Sequence, residues 1–242
     1  MRTLILFFIF SFSVITLKAQ DSYNYTPYGV GIFGGINRPY DDLRKANYGK
    51  TINVVGYYNI SPYVPIGLEI QLGGISGGDT GTDPYRRQSN NHYTALILHG
   101  DIGVGEIVDY SQSGFLGFVK DFYAGTGFGL INNNMVFVQR TNLNPTGYPV
   151  GTYRFPGEDK SINLIVPIRF GYEYKIYNMW GEPQIGINIG YIHNVTVGEG
   201  LDGYNDPANH FKNNSPDQFS QIFIGVKYNF GYPRAYTKRI NY

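Results

Sequence analysis

Cysteine is absent from this sequence, and charged residues are scarce. The 242 residues include no Cys, and Asp, Glu, Lys and Arg together make up only 15% of them, where soluble domains carry about 25%. The absence of cysteine excludes a disulfide framework, an iron–sulfur cluster, a thiolate zinc site and a cysteine nucleophile. A formal net charge of +1 leaves no electrostatic footprint for nucleic acid.

Long apolar runs are also lacking, except at the N-terminus, which has the pattern of an export signal. Met1 and Arg2 give a positive start, the apolar stretch 4–17 follows, and Ala19 provides a small residue before the chain turns polar. The stretch is shorter than the ~20 residues of a membrane-spanning helix, and this order of segments is typical of a secretory signal. Residues 1–20 are therefore predicted to be a cleaved signal peptide; the alternative is a retained anchor helix.

What the rest of the chain does contain is an alternation of apolar and polar side chains. Between 161 and 176 every even position is apolar or aromatic, and the odd positions are mostly polar, small or charged. The pattern recurs elsewhere, at 66–73, 184–191 and 221–230, and more weakly at 28–36, 52–60, 96–104 and 122–130. A period of two indicates a strand with one apolar face. Eight strands of about 9–14 residues are predicted, and no helix, because Gly and Pro interrupt every stretch long enough to form one.

The connections between these strands alternate between short and long. The short ones are 61–65, 106–117 and 177–183, and the long ones are 38–50, 76–91, 132–160 and 198–217. Such alternation is expected of an up-and-down barrel with turns at one end and loops at the other, and it places both chain ends on the turn side. In the longest loop, 135–140 and 151–155 are predicted to continue two strands as a protruding hairpin whose edge is a candidate docking surface.

The residues on each face decide between two kinds of barrel. A lipocalin-like soluble barrel has its apolar face inside, whereas an outer-membrane barrel turns it toward lipid. Here the other face is mostly Gly, Asn and Gln, with too few charges for eight strands in water. Aromatic residues that share the positions of the apolar face are concentrated at the short-turn ends of the strands, as at a membrane interface. They are Tyr58, Phe118, Phe122, Tyr172, Tyr174, Tyr228 and Phe230. The prediction is an all-β, eight-stranded antiparallel up-and-down transmembrane β-barrel over residues 21–231.

Charged side chains of inward parity form the candidate functional site. Counted from the short turns, nearly all lie in the periplasmic half of the lumen; they are Glu69, His99, Asp101, Asp121, Arg169, Glu173, Lys175 and Lys227. An eight-stranded barrel encloses room for side chains rather than an open channel, and an unpaired buried charge costs several kcal/mol. These residues are therefore predicted to pair as a structural plug. The alternative is a gated or proton-sensitive conduit with His99 as its switch.

Small residues are predicted to line the outer half of the lumen. They include the glycines Gly29, Gly31, Gly103, Gly127, Gly129, Gly186 and Gly190. Two interpretations stay open for such a lining. One is a shallow cavity that opens to the outside, and the other is tight coiling of the strands.

The last strand carries a motif that is similar to a known one. Gly225, Tyr228 and Phe230 have the spacing of the C-terminal assembly signal of outer-membrane barrels, although Phe223 stands where a polar residue is usual. The chain resembles the small eight-stranded barrels of Gram-negative outer membranes, the OmpA-, OmpX- and PorT-like group. This resemblance implies recognition of the last strand by the barrel-assembly machinery. Residues 232–242 would then follow as a periplasmic tail, for which disorder is the default expectation.

Candidate chemistry outside the lumen is weak. His92, His193 and His210 lie near the loop side, with Ser89, Ser215 and Asp217 in neighbouring loops, but no spacing among these residues forms an acyl-transfer motif. The loop 198–207 offers oxygen atoms to a calcium ion without the ligand spacing of an EF-hand, and Asx turns explain the same residues. We therefore expect no catalytic residues, no cofactor and no metal site.

The function expected from these observations is that of a monomeric, non-enzymatic outer-membrane barrel in contact with outer-membrane lipid. Its role would be structural, surface-binding or accessory to a secretion or assembly complex. The alternatives are a lipid A-modifying hydrolase or acyltransferase, because eight-stranded outer-membrane enzymes of that kind exist, and a narrow pore.

Overall fold

The computed structural model describes residues 23–40, 43, 45–110, 113–143, 153–198, 200–205 and 217–236. The long strands are β2 (Tyr28–Tyr40), β4 (Gly49–Ser61), β5 (Val64–Gly78), β6 (Gln88–Gly103), β7 (Phe122–Val138), β8 (Lys160–Tyr177), β9 (Pro183–Val197) and β10 (Gln218–Phe230). The short elements are β1 (Tyr23–Tyr25), β3 (Ala46–Asn47), α1 (Val104–Ile107), α2 (Gly114–Val119) and β11 (Arg234–Tyr236). The predicted signal peptide, 1–20, lies outside the described residues.

The eight long strands form one closed antiparallel ring. Each pairs with the next long strand along the chain, from β2 to β10, and β10 pairs back with β2. This confirms the predicted up-and-down barrel. The strands are 13 to 18 residues long, longer than predicted, because backbone pairing continues past the apolar alternation into polar, Gly- and Asn-rich segments. A membrane crossing takes about 9–11 residues of a tilted strand, so the excess extends beyond the lipid.

Apolar and polar side chains are distributed between the two faces of the barrel as predicted, with the apolar side chains on the outward face. On β8, Ile162, Phe170 and Tyr174 are 70%, 52% and 58% exposed, whereas Arg169 and Ile165 on the other face are 3% and 0% exposed. The same alternation repeats on the other long strands. So wide a belt of exposed apolar side chains is stable only when lipid surrounds it. The chain is therefore a transmembrane β-barrel.

Two short helices lie in the connection between β6 and β7, where the expectation of no helix is wrong. They have four and six residues, too few to show a helical period in the sequence. In the described part of the chain, no helix is long and apolar enough to cross a membrane.

Two short strands at the ends of the described part of the chain pair with each other at the short-turn end of the barrel. Strands β1 and β11 are antiparallel, with Tyr25 opposite Arg234 and Tyr23 opposite Tyr236. The Tyr25 hydroxyl donates to the Ile60 carbonyl at 2.7 Å. The default expectation of a disordered tail is therefore wrong for 234–236, because a strand from the other chain end supplies its hydrogen bonds. The rest of the tail lies outside the described residues.

At the opposite end the long loops fold onto one another. Leu43, Phe155 and Tyr204 come from three different loops and form one buried cluster. Part of the predicted pairing in the longest loop is present, between 140–142 and 153–155, where Phe155 N–H donates to the Arg140 carbonyl at 2.8 Å. Phe155 is only 1% exposed, so this segment belongs to a packed loop end rather than to a free-standing hairpin. We call Leu43, Tyr85, Arg87, Phe155 and Tyr204 the loop cap.

Candidate functional site

Arg169 lies at the centre of the charged residues inside the barrel. Its Nη1 donates to Glu69 Oε2 at 2.7 Å, and its Nε donates to Asp101 Oδ1 at 3.2 Å. His99 lies between the same carboxylates, with Nε2 3.5 Å from Glu69 Oε2 and Nδ1 3.2 Å from Asp101 Oδ2. None of the four is more than 5% exposed. Because they belong to β5, β6 and β8, the network connects strands across the lumen.

Amide side chains complete this network. Both Asn53 Nδ2 and Gln71 Nε2 donate to Glu69 Oε1 at 2.8 Å, so the two oxygens of Glu69 accept from different partners. A buried carboxylate needs such donors, since ionic attraction alone seldom offsets its desolvation. Asn53 and Gln71 therefore contribute to the site without carrying charge themselves.

Two further ion pairs lie nearer the short turns. Lys175 Nζ is 2.8 Å from Asp121 Oδ1, and Lys227 Nζ is 3.6 Å from Glu173 Oε2. The structure thus brings all eight predicted lumen residues together. Each of the seven Asp, Glu, Lys and Arg residues has an oppositely charged partner, and His99 lies between two of the carboxylates. We call these eight residues the charge layer. A polar cavity of about 30 Å³ remains beside Asp121, Glu173 and Lys175, which is room for one or two water molecules.

Above the charge layer, the lumen is filled by large apolar side chains that the sequence interpretation missed. This apolar layer consists of Ile75, Tyr93, Ala95, Ile97, Ile131, Ile165, Leu201 and Phe219, each at most 3% exposed. A signal for it exists in the sequence. Leu96-Ile97-Leu98 and Leu164-Ile165-Val166 are apolar at three consecutive positions, so both faces of those strands are apolar there. An interpretation based on strict alternation assigns only one apolar face to each strand, so it does not identify the inward apolar residues of such runs.

The predicted glycine lining of the outer half is wrong in part. Gly29 lies against Lys227 and Asn229, and Gly186 lies against Glu173, so both belong to the charge layer's end of the barrel. Gly127 is the cross-strand partner of His99 and so also lies at the charge layer, whereas Gly129 is the partner of Ile97 and does lie higher. At both positions an added Cβ would collide with the neighbouring β6 backbone. These glycines allow close packing of the strands around filled space. The large side chains of the apolar layer occupy the volume that a cavity would need.

The loop cap is held by cation–π and hydrogen-bond contacts. The Arg87 guanidinium lies 5.6 Å from the ring of Tyr204, 5.8 Å from that of Tyr85 and 6.0 Å from that of Phe155, within the range of cation–π attraction. The Tyr204 hydroxyl donates to the Gln139 carbonyl at 2.9 Å. Burial raises the pKa of that hydroxyl above its ordinary value, so it remains a donor at neutral pH.

Asp217 connects the loops to the apolar layer. Its Oδ2 accepts hydrogen bonds from the backbone N–H groups of Gly200 at 3.0 Å and Leu201 at 2.8 Å. These bonds hold the last long loop so that Leu201, which is 1% exposed, points down into the lumen. Asp217 is thus a structural residue of the closed outer end.

The histidines and serines considered for acyl transfer do not come together in the described residues. Ser89 is buried, whereas His92 lies on the opposite, exposed face of the same strand. His193 Nε2 is 2.9 Å from the amide oxygen of Gln218, where a catalytic triad needs a carboxylate. Ser220 is the cross-strand neighbour of His193, but its hydroxyl donates to Tyr40 at 3.3 Å. His210 and Ser215 lie outside the described residues.

The acidic residues around the last long loop act in backbone turns. Asp202 Oδ1 accepts from the Tyr204 N–H at 2.9 Å, which is an Asx turn, and Asp217 holds Gly200 and Leu201. Among the described residues no group of three or more His, Cys, Asp or Glu is placed to hold a metal ion. Residues 199 and 206–216 of this loop lie outside the described part.

The three residues of the predicted assembly signal lie on the last barrel strand. Tyr228 and Phe230 face lipid, each 46% exposed, with ring centroids 6.3 Å apart. Gly225 faces the lumen, where an added Cβ would collide with Phe33 and the Ile32 carbonyl. Glycine is therefore required at this position by packing. Recognition of the motif by the assembly machinery stays a prediction.

No protein-family model matches this chain, and no curated protein sequence does. Among solved structures, it is similar to Neisserial surface protein A, with a TM-score of 0.47 and 10% identity over 85% of this chain and 98% of that one. For Ail, the attachment invasion locus protein of Yersinia pestis, the TM-score is 0.43 and the identity 9%, over 87% and 100% of the two chains. For the outer membrane protease OmpT from Escherichia coli, the TM-score is 0.30 and the identity 11%, over 89% of this chain and 100% of that one. The transmembrane β-barrel itself is assigned from the strand pairing and the exposed apolar belt.

Proposed function

We propose that this protein is a closed, non-enzymatic outer-membrane barrel that presents its packed loop end as a binding surface outside the cell. One observation carries the proposal: the lumen is filled along its length, by the charge layer below and the apolar layer above. Such filling favours a stable scaffold over a conduit, because opening a path would expose apolar side chains and separate buried ion pairs.

The loop cap supports a binding role at the outer end. Contacts between Arg87, Phe155 and Tyr204 join three loops into one surface. Leu43 of the fourth loop packs in the same cluster, and Asp217 holds the loop that carries Tyr204. A surface fixed in advance loses little conformational entropy when a partner binds. Contact with outer-membrane lipid, recognition by the barrel-assembly machinery and membership of a secretion or surface complex belong to the same proposal.

Conductance measurement tests the closed lumen. The full-length protein, purified in detergent and inserted into planar bilayers, should show no steady unitary current. Arg169→Ala provides the comparison, because it removes the central cation of the charge layer and should produce brief current fluctuations. Steady open channels from the unmodified protein would contradict the proposal and favour the narrow pore.

Two further measurements address the remaining alternatives. The lipid A mass spectrum of a strain lacking the gene should match that of its parent, and a missing or added acyl chain would favour the hydrolase or acyltransferase.

Gentle detergent extraction of the tagged protein from outer membranes should recover a stable surface partner. Loss of that partner after Phe155→Ala, with the barrel still folded, would locate its binding to the loop cap.

A further inference from the structure

The charged residues on the barrel strands separate by the face they occupy. All three acidic residues of the eight strands, Glu69, Asp101 and Glu173, face the lumen, together with the bases that pair with them. The other three bases on these strands, Arg38, Lys50 and Lys160, are exposed on the outward face. The outward face of the described strands therefore carries positive charge and no carboxylate to offset it.

All three outward bases lie at the loop end of their strands. Arg38 is close to the end of β2, Lys50 is the second residue of β4, and Lys160 begins β8. Directly below each lies the apolar belt, with Ile36, Ile52 and Ile162 exposed by 54%, 56% and 70%. A side chain just above the apolar belt of a membrane barrel is level with the lipid headgroups. These bases therefore lie at the headgroups of the leaflet on the loop side.

The outward bases differ from the inward ones in their partners. Arg169, Lys175 and Lys227 each have a carboxylate within 3.6 Å. Within the part of the chain that the structure describes, Arg38 and Lys50 form no ion pair. Their positive field is thus available to an anion outside the protein.

Arg38 and Lys50 are placed to act on one anion together. Lys50 is the cross-strand partner of Ile36, and Arg38 lies two residues further along β2. Diagonal neighbours of this kind have Cα atoms about 7–8 Å apart, which long basic side chains readily span. The Arg38 guanidinium also lies 5.3 Å from the ring of Tyr40, and this contact restricts where its hydrogen-bond donors point.

We propose that Arg38 and Lys50 bind the phosphate group of a lipid in the outer leaflet. The guanidinium fork offers two parallel N–H donors to phosphate oxygens, and the ammonium adds a second charge-assisted contact. The acyl chains of the same lipid would lie against the belt below, at Ile36 and Ile52. The proposal rests on the loop end facing outward and is independent of whether the lumen conducts or the loop cap binds a partner.

Lipid retention tests the proposal, with phosphatidic acid as the probe because it exposes a phosphomonoester. The full-length protein in detergent is mixed with phosphatidic acid or with diacylglycerol, and bound lipid is counted by native mass spectrometry. Arg38→Gln and Lys50→Gln should each weaken phosphatidic acid binding about fivefold, and the double variant on the order of twentyfold. Diacylglycerol binding should not change. Arg234→Gln, which removes an exposed base from the opposite end of the barrel, is the matched control and should bind like the unmodified protein.

Three outcomes would overturn the site. The first is that the double variant retains as much phosphatidic acid as the unmodified protein. The second is that the Arg234→Gln control loses as much lipid as the double variant, and the third is that inorganic phosphate displaces the lipid at equal concentration. The last result would assign the bases to a soluble anion rather than to a lipid. Folding is checked by the shift in electrophoretic mobility on heating, and the two single variants replace the double variant if it does not fold.

Discussion

The lumen is filled differently toward its two ends. Toward the short turns, carboxylates and bases lie within 3.6 Å of one another, whereas toward the loops isoleucine, tyrosine and phenylalanine side chains pack without charge. Both fillings occupy the lumen, but they respond differently to change. An ion pair that loses one partner leaves a buried charge uncompensated. An apolar contact that loses a few carbons leaves only a cavity.

The difference also concerns specificity. The charge layer requires particular partners on particular strands, because Arg169 reaches Glu69 on β5 and Asp101 on β6 at the same time. The apolar layer requires only suitable volumes from side chains of inward parity, and cores of this kind accept many volume-conserving exchanges. The charge layer is therefore suited to fixing how the strands are arranged, and the apolar layer to filling the space that results.

The largest expected effect comes from breaking the charge layer at its centre. Arg169→Met leaves Glu69 and Asp101 buried together without their guanidinium, and should reduce the free energy of unfolding by about 3–5 kcal/mol. Urea unfolding in lipid vesicles, followed by the fluorescence of the single tryptophan, measures this loss. Adding Glu69→Gln and Asp101→Asn should recover much of it, because the uncompensated charges are removed. A loss below about 1 kcal/mol for Arg169→Met would show that water already solvates the layer.

A smaller effect is expected in the apolar layer. Ile131→Ala opens a cavity at a side chain that is fully buried, and should cost about 2–4 kcal/mol in the same urea experiment. The neighbouring Leu130→Ala is the matched control, since Leu130 is 55% exposed toward lipid and acyl chains can occupy the space it leaves. Equal losses for the two variants would mean that the upper lumen is not packed as a core.

The closed outer end should loosen when Asp217 loses its charge. Asp217→Asn weakens two hydrogen bonds, to the amides of Gly200 and Leu201, and charge-assisted bonds of this kind are worth about 1.5–3 kcal/mol. Amide hydrogen exchange at these two residues should therefore accelerate by roughly tenfold or more. Asp79→Asn, which removes an exposed carboxylate paired with Lys45 in another loop, should leave that exchange unchanged. If both variants act alike, the effect is not specific to Asp217.

The smallest effect is expected at the paired chain ends, and it depends on pH. Burial, followed by the nearby Glu106 carboxylate, raises the pKa of the Tyr236 hydroxyl above its ordinary value. A group whose pKa is raised on folding stabilises the folded form below its unfolded pKa, which is about 10 for tyrosine, and the benefit is lost as the pH rises further. The β1–β11 pair should therefore become more mobile above pH ~10.

A spin label measures this mobility, because the chain has no cysteine and Ala235→Cys gives one labelled site. Label mobility should increase as the pH rises above ~10, and Tyr236→Phe should reduce that increase. A rise that is the same in both proteins would assign the change to other tyrosines.

Much of the fold was predictable because strand parity is a local property. On β8 the alternation of Ile162, Leu164 and Ile168 with Asn163 and Arg169 identifies a lipid face and a lumen face without knowledge of any neighbour. The closed ring follows from repeating that pattern with alternating short and long connections. The membership of the charge layer was predictable for the same reason, since inward parity is counted along one strand at a time.

What parity did not reveal depends on contacts between distant segments. Ile97, Ile131 and Phe219 are apolar residues at inward positions. An apolar–polar alternation assigns apolar residues to the outward face only, so it does not identify them. The pairing of Tyr25 with Arg234 joins the two ends of the described chain, and neither segment is long enough to indicate a strand alone. The loop cap likewise exists only because Phe155 and Tyr204 meet across two loops.

The sequence by itself determined that this chain, poor in charge and without cysteine, forms a lipid-embedded barrel with a mixed-charge interior, because a two-residue period is set by the geometry of a strand. Only the tertiary structure decided which charges pair, that large apolar side chains fill the upper lumen, and that the loops and chain ends fold over the two openings. Those features depend on register, on the shear of the closed ring and on the volumes left between side chains, none of which is encoded in any single strand.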